Sequence, residues 1–160
     1  MSLLSKPSEH ATLYIALFIN LLSMNFTRAL GFAVIVYAVG AAILFLTGYH
    51  IDARPQLVSY ITLWILMIPV LLFVAKWYFH IVPPTAKAGL YLGLLTIALG
   101  FLLDTSIVLI SGAWDSLSQF YGTVYGDWKF FLTMIELLLL TTYAGYEFDA
   151  TYTKKSGIAE

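Results

Sequence analysis

The chain of 160 residues contains no cysteine. Disulfides, thiolate metal sites and thiol redox chemistry are therefore excluded. Charge is scarce as well. Eight Lys and Arg stand against nine Asp and Glu, a net charge of −1 at pH 7, and charged residues are 11% of the chain. Nothing here makes a basic field that would attract a polyanion, so no nucleic-acid partner is expected. Walker-type phosphate loops, dinucleotide fingerprints, HExxH zinc motifs and nucleophile elbows are missing too. The expectation is a protein without catalytic residues, cofactor or metal.

What the chain has in excess is apolar residues, 61% of the total, where a soluble domain carries about 45–50%. A monomer this small has too little interior to hide that much apolar surface from water. Lipid is the solvent that fits, which excludes a soluble enzyme and a disordered tail. Four runs reach the roughly 20 apolar residues that a membrane-crossing helix needs. They cover 26–49, 56–79, 86–111 and 127–146. Each is too long and too uniformly apolar for the alternating strands of a membrane barrel. The fold expected is an all-α polytopic membrane protein, a single domain over 1–160 built as an antiparallel four-helix bundle.

The breaks between runs have physical causes. HIDARP, ending in Pro55, separates the first two, and Pro83-Pro84 ends the second. Proline supplies no N–H and disfavours helix in the residue before it. A polar, glycine-containing stretch, GAWDSLSQFYGTVYG, parts the last two runs. Asn25 is placed to cap the first helix, and Pro69 predicts a kink in the second. Residues 11–24 are apolar but short, and read as an uncleaved interfacial helix leading into the first span. Residues 147–160 read as a solvated tail.

Basic residues set orientation. Lys6, Arg28, Lys76, Lys87, Lys154 and Lys155 collect on one side of such a bundle, and Arg54 and Lys129 on the other. Both termini are therefore expected in the cytoplasm. His10, His50 and His80 lie outside the spans, where interfacial histidines fit better than haem ligands.

Two acids fall inside the spans, Asp104 and Glu136. A charge at mid-bilayer costs at least about 2.5 kcal/mol, so such residues face the bundle interior, protonate or find a partner. Gly89, Gly93, Thr96, Gly100 and Asp104 recur at helical spacing on one face of the third run. GLYLG within it is a GxxxG pattern, a helix-packing face that lets another backbone approach closely. On the fourth run Lys129, Thr133, Glu136, Leu140, Tyr143 and Glu147 form a mostly polar stripe. Counting residues from the shared loop puts Asp104 and Glu136 at one depth, where they could share a proton or bracket a cation. Asp104, Glu136, Thr133, Tyr143 and Lys129 are thus the candidate ligand- or ion-binding residues.

GLYLGLLTIALGFLLD, ending in Asp104, the polar aromatic loop after it, and DWKFFLTMIELLLLTTYAGY, ending in Tyr146, together resemble small four-helix bacterial inner-membrane proteins. The resemblance covers about residues 88–147. It implies a fold and an inner-membrane location, and no activity.

The leading functional expectation is a non-catalytic accessory or assembly subunit, partnered by the bilayer and by other membrane subunits or copies of itself. The alternative is an element for transport of a proton, a cation or a cationic small molecule through Asp104 and Glu136.

Overall fold

The computed structural model describes residues 25–48, 56–112 and 115–156, with side chains as far as Asp149. The interfacial helix expected at 11–24 lies outside these residues, as do His10, His50, Lys6 and Arg54. Among the described residues every regular element is helical. The elements are α1 (Phe26–Leu46), α2 (Leu57–Phe79), α3 (Ala86–Ser111), the short α4 (Leu117–Phe120) and α5 (Trp128–Ser156). A π-helical turn, Tyr121–Tyr125, continues α4.

Helix starts follow their local chemistry. Asn25 accepts from the Arg28 N–H at the head of α1, and Thr85 accepts from the Ala88 N–H at the head of α3. Ser116 does the same for Gln119 in α4. Each cap satisfies one N–H that the first turn would otherwise leave open. Gly112 ends α3 in the left-handed conformation, φ 61°, which glycine adopts without a side-chain clash. Pro69 lies on an exposed face of α2, and the helix runs through it. The last helix outruns its expected boundary: α5 continues through Ser156, into residues read from sequence as a tail.

α1, α2 and α3 are long and apolar enough to cross a membrane. α5 is the most polar of the four long helices, because it carries Lys129, Glu136, Glu147, Asp149, Lys154 and Lys155, and it is not among those spans. The outer surface matches a lipid solvent. Ile65 is 63% exposed, Phe73 75% and Leu139 64%. Leaving such a side chain in water costs about 1.5–3 kcal/mol relative to burying it.

The long helices form a ring in the order α1, α2, α5, α3, so the sequence neighbours α2 and α3 face each other across it. Contacts fix the directions. Arg28 at the start of α1 donates to the Trp77 carbonyl near the end of α2, and Ser59 near the start of α2 donates to the Thr47 carbonyl. These two helices are antiparallel. Trp64 of α2 donates to Thr133 of α5, and Phe79 meets Phe148, so that pair is parallel. Tyr60, Tyr78, Phe32 and Leu92 are fully buried between the helices.

α3 and α5 come closest together. A methyl group on Gly89 would sit 2.2 Å from the Thr141 carbonyl oxygen, and one on Gly145 would sit 2.3 Å from the Thr85 carbonyl oxygen. One on Gly93 would meet the Thr141 hydroxyl at 2.5 Å. The GxxxG face is therefore used inside the chain, where it lets two of its own helices touch. Thr96 is buried on the same face, its hydroxyl returned to the Leu92 carbonyl. Gly100 departs from this pattern. Its nearest neighbour would be Tyr37 Cδ2 at 4.0 Å, and it opens onto a cavity.

Candidate functional site

The ring does not close on its axis. A cavity of about 790 Å3 lies between all four long helices and is capped by the π-helical turn. Its walls are mainly apolar and aromatic, with Tyr37, Tyr60, Thr96 and Thr133 as the uncharged polar side chains. Asp104 and Glu136 both line it, and among the described residues no Lys, Arg or His does. The volume falls in the range of about 300–1,000 Å3 typical of small-molecule sites.

Asp104 comes from α3, one turn beyond Gly100. Tyr37 of α1 donates to its Oδ1 at 2.5 Å, and Tyr125 donates to its Oδ2 at 2.6 Å. An ionised carboxyl is an acceptor at both oxygens, and charge-assisted bonds of this kind are short. Tyr125 is clamped in turn. Its ring stacks on Phe101 at 4.3 Å and lies 4.3 Å from Phe130. Burial, and then the Asp104 carboxylate, push the Tyr125 phenol well above its usual pKa, so it remains a donor. Next to it, the hydroxyls of Thr105 and Tyr121 are hydrogen-bonded to each other. The segment 117–125 is thus a built part of the site, with Phe120 and Val124 buried against Val108. Sequence reading treats it as a polar break.

Glu136 is a different case. It projects from α5 into the same cavity, half-buried, and makes no hydrogen bond or ion pair among the described residues. It also borders a second groove, of about 350 Å3, on the α2–α5 seam with Trp64, Ile68, Leu132 and Leu139. Leu139 and Ile68 are exposed there.

The two acids do not share a depth, contrary to the count from the loop. Gly93 packs on Leu138, and Gly89 on Thr141 and Thr142. In this antiparallel register Asp104 lies level with Asp127, roughly nine residues or about 13 Å along the axis from Glu136. The loop between the helices is not a symmetric turn. It carries α4 and the π-helical turn, which displace α5 relative to α3. At that distance the two carboxyls cannot share a proton.

The remaining candidates part company. Thr133 lines the cavity, but its hydroxyl already donates to the Lys129 carbonyl at 3.0 Å and accepts from Trp64 at 2.9 Å. Lys129 turns away from Glu136. Its ammonium is 2.6 Å from Asp127 Oδ2 and lies 5.6 Å from the Trp128 ring centre. Tyr143 is exposed, lines neither cavity, and faces Glu147 at 3.5 Å. His80 ends α2, exposed. Among the described residues no group of three His, Asp or Glu could hold a metal.

Tyr37 and Tyr125 are hydrogen-bonding neighbours of Asp104 that sequence reading did not single out. Tyr37 did carry a signal: a phenol in the middle of an apolar run needs a partner for its O–H. Tyr125 carried none, because the loop fold that turns it inward has no local signature.

Comparison with protein-family models, with curated proteins and with solved structures finds no match to this chain.

Proposed function

We propose that the chain is a four-span bundle of a bacterial inner membrane that binds a cation or cationic small molecule in its central cavity, as a binding or transport element. The observation that carries this reading is the lining itself. Two carboxyls and, among the described residues, no cationic side chain face a largely apolar space. A buried negative charge without a partner is costly, and a ligand of opposite charge offsets that cost.

In this reading α5 is the fourth span. Of its polar residues Thr133 and Glu136 face the cavity and Lys129 the loop end, while Phe131, Leu132 and Leu139 face outward. Arg28, Lys76 and Lys87 all sit at the end of the bundle near Pro83 and Pro84. That end is cytoplasmic by the positive-inside rule.

The test is equilibrium binding of a panel of organic monocations, among them tetraphenylphosphonium and ethidium, to the full chain in nanodiscs. Binding is expected, and Gly100→Phe, which fills the cavity, is expected to remove it. Ala41→Phe serves as a second filling variant. Binding that survives both variants overturns the proposal.

A second reading, an accessory subunit or homo-oligomer, draws on α1. Ala38 and Ala42 lie one turn apart on its exposed surface, a small-xxx-small spacing that admits another helix. Gentle extraction followed by native mass analysis tests it. A mass above the monomer is expected on this reading, and a stable lone monomer rejects it.

A further inference from the structure

We infer that the ligand is a lipophilic organic monocation held by Glu136, and that it reaches the cavity sideways from the bilayer through the α2–α5 seam. The inference rests on the cavity reading above and divides the work between its two acids.

Asp104 is already satisfied. Both of its oxygens accept from phenols, and those phenols tie α1, α3 and the π-helical turn together. A ligand taking Asp104 would have to break two charge-assisted bonds first. Glu136 has no such bond among the described residues. One free carboxylate matches one positive charge.

Size and lining exclude a bare inorganic cation as the natural occupant. Sodium or potassium asks for several oxygens at short range. The polar groups around Glu136 are few, and the wall is apolar with the rings of Tyr60, Phe101 and Phe130. Such rings suit an organic cation, by contact and through their negative faces. A volume of about 790 Å3 accommodates a molecule of several rings.

Glu136 also marks the way in. It borders both the central cavity and the α2–α5 groove. The groove is walled by Ile68, Leu132 and Leu139, each exposed on the outer surface. A molecule that partitions into lipid meets this groove first and finds the carboxylate at its inner edge. At the loop end Phe120 and Val124, both buried, line the cavity.

The experiment uses the full chain in nanodiscs with labelled tetraphenylphosphonium, and neutral triphenylphosphine oxide as the uncharged control. Glu136→Gln is expected to weaken tetraphenylphosphonium binding by at least about tenfold. Glu136→Asp is expected to retain more of it. Asp104→Asn is expected to stay within about threefold of the parent. The neutral probe is expected to bind the parent and Glu136→Gln alike. Leu139→Trp, which narrows the groove, is expected to slow association at least about fivefold at unchanged affinity. Parent-like binding by Glu136→Gln overturns the assignment of the acid, while loss of binding in Gly100→Phe shows that the cavity reading itself stands. Equal loss in Asp104→Asn and Glu136→Gln also overturns the assignment. An unchanged association rate in Leu139→Trp overturns the lateral route. Absence of tetraphenylphosphonium binding to the parent overturns the inference, and the cavity reading falls with it only if the whole cation panel also fails.

Discussion

Asp104 and Glu136 line one cavity yet stand about 13 Å apart along the bundle axis, because α3 and α5 are locked in register by Gly89 and Gly93. Groups at that separation with no shared partner behave independently. The stability changes of Asp104→Asn and Glu136→Gln are therefore expected to add to within about 0.5 kcal/mol in the double variant. Unfolding of the four proteins in detergent checks this. A coupling above that size would show that the two acids interact.

The α3–α5 contact is backbone against backbone, so a methyl group has no flexible neighbour to push aside. Gly89→Ala and Gly145→Ala are expected to destabilise the bundle by about 1–3 kcal/mol, since the helices must part. Gly100→Ala meets nothing nearer than 4.0 Å and is expected to be neutral or slightly stabilising. Thermal unfolding of the three variants in one detergent compares them directly.

Tyr125 anchors the loop segment to Asp104. Tyr125→Phe keeps the ring among Phe101 and Phe130 but removes one bond to the carboxylate, and a loss of about 1.5–3 kcal/mol is expected. Hydrogen exchange should quicken within 117–127 and change little in α2. Tyr37→Phe is expected to lose a similar amount, with exchange unaltered in the loop.

At the head of α5, Asp127 accepts from the Lys129 N–H at 3.0 Å and pairs with its ammonium. Asp127→Ala is expected to cost about 1 kcal/mol, and Asp127→Asn a smaller part of it, because Asn still caps. Unfolding measured at low and high salt separates the two terms. The ion-pair share weakens with salt and the capping share does not.

Much of the architecture was legible in the residues. The four runs match α1, α2, α3 and most of α5 as helices, and α1, α2 and α3 are also long and apolar enough to cross a membrane. Asn25 was readable as a cap since its chemistry is local. Gly89 and Gly93 were readable as a close-approach face, though not the helix that would use it. The segment before α5 was legible as a polar, aromatic break, but not that Phe120 would line the cavity or that Tyr125 would bond Asp104.

By itself the sequence determined the apolar solvent, the helices and the two acids within the apolar runs, since each depends on short-range composition. Tertiary structure decided which helices neighbour one another, how far α5 slides along α3, and which acid is satisfied. Those outcomes depend on contacts between residues far apart in the chain. Glycines on α3 and α5 set the register, and the phenols of Tyr37 and Tyr125 occupy Asp104 while Glu136 is left without a partner among the described residues.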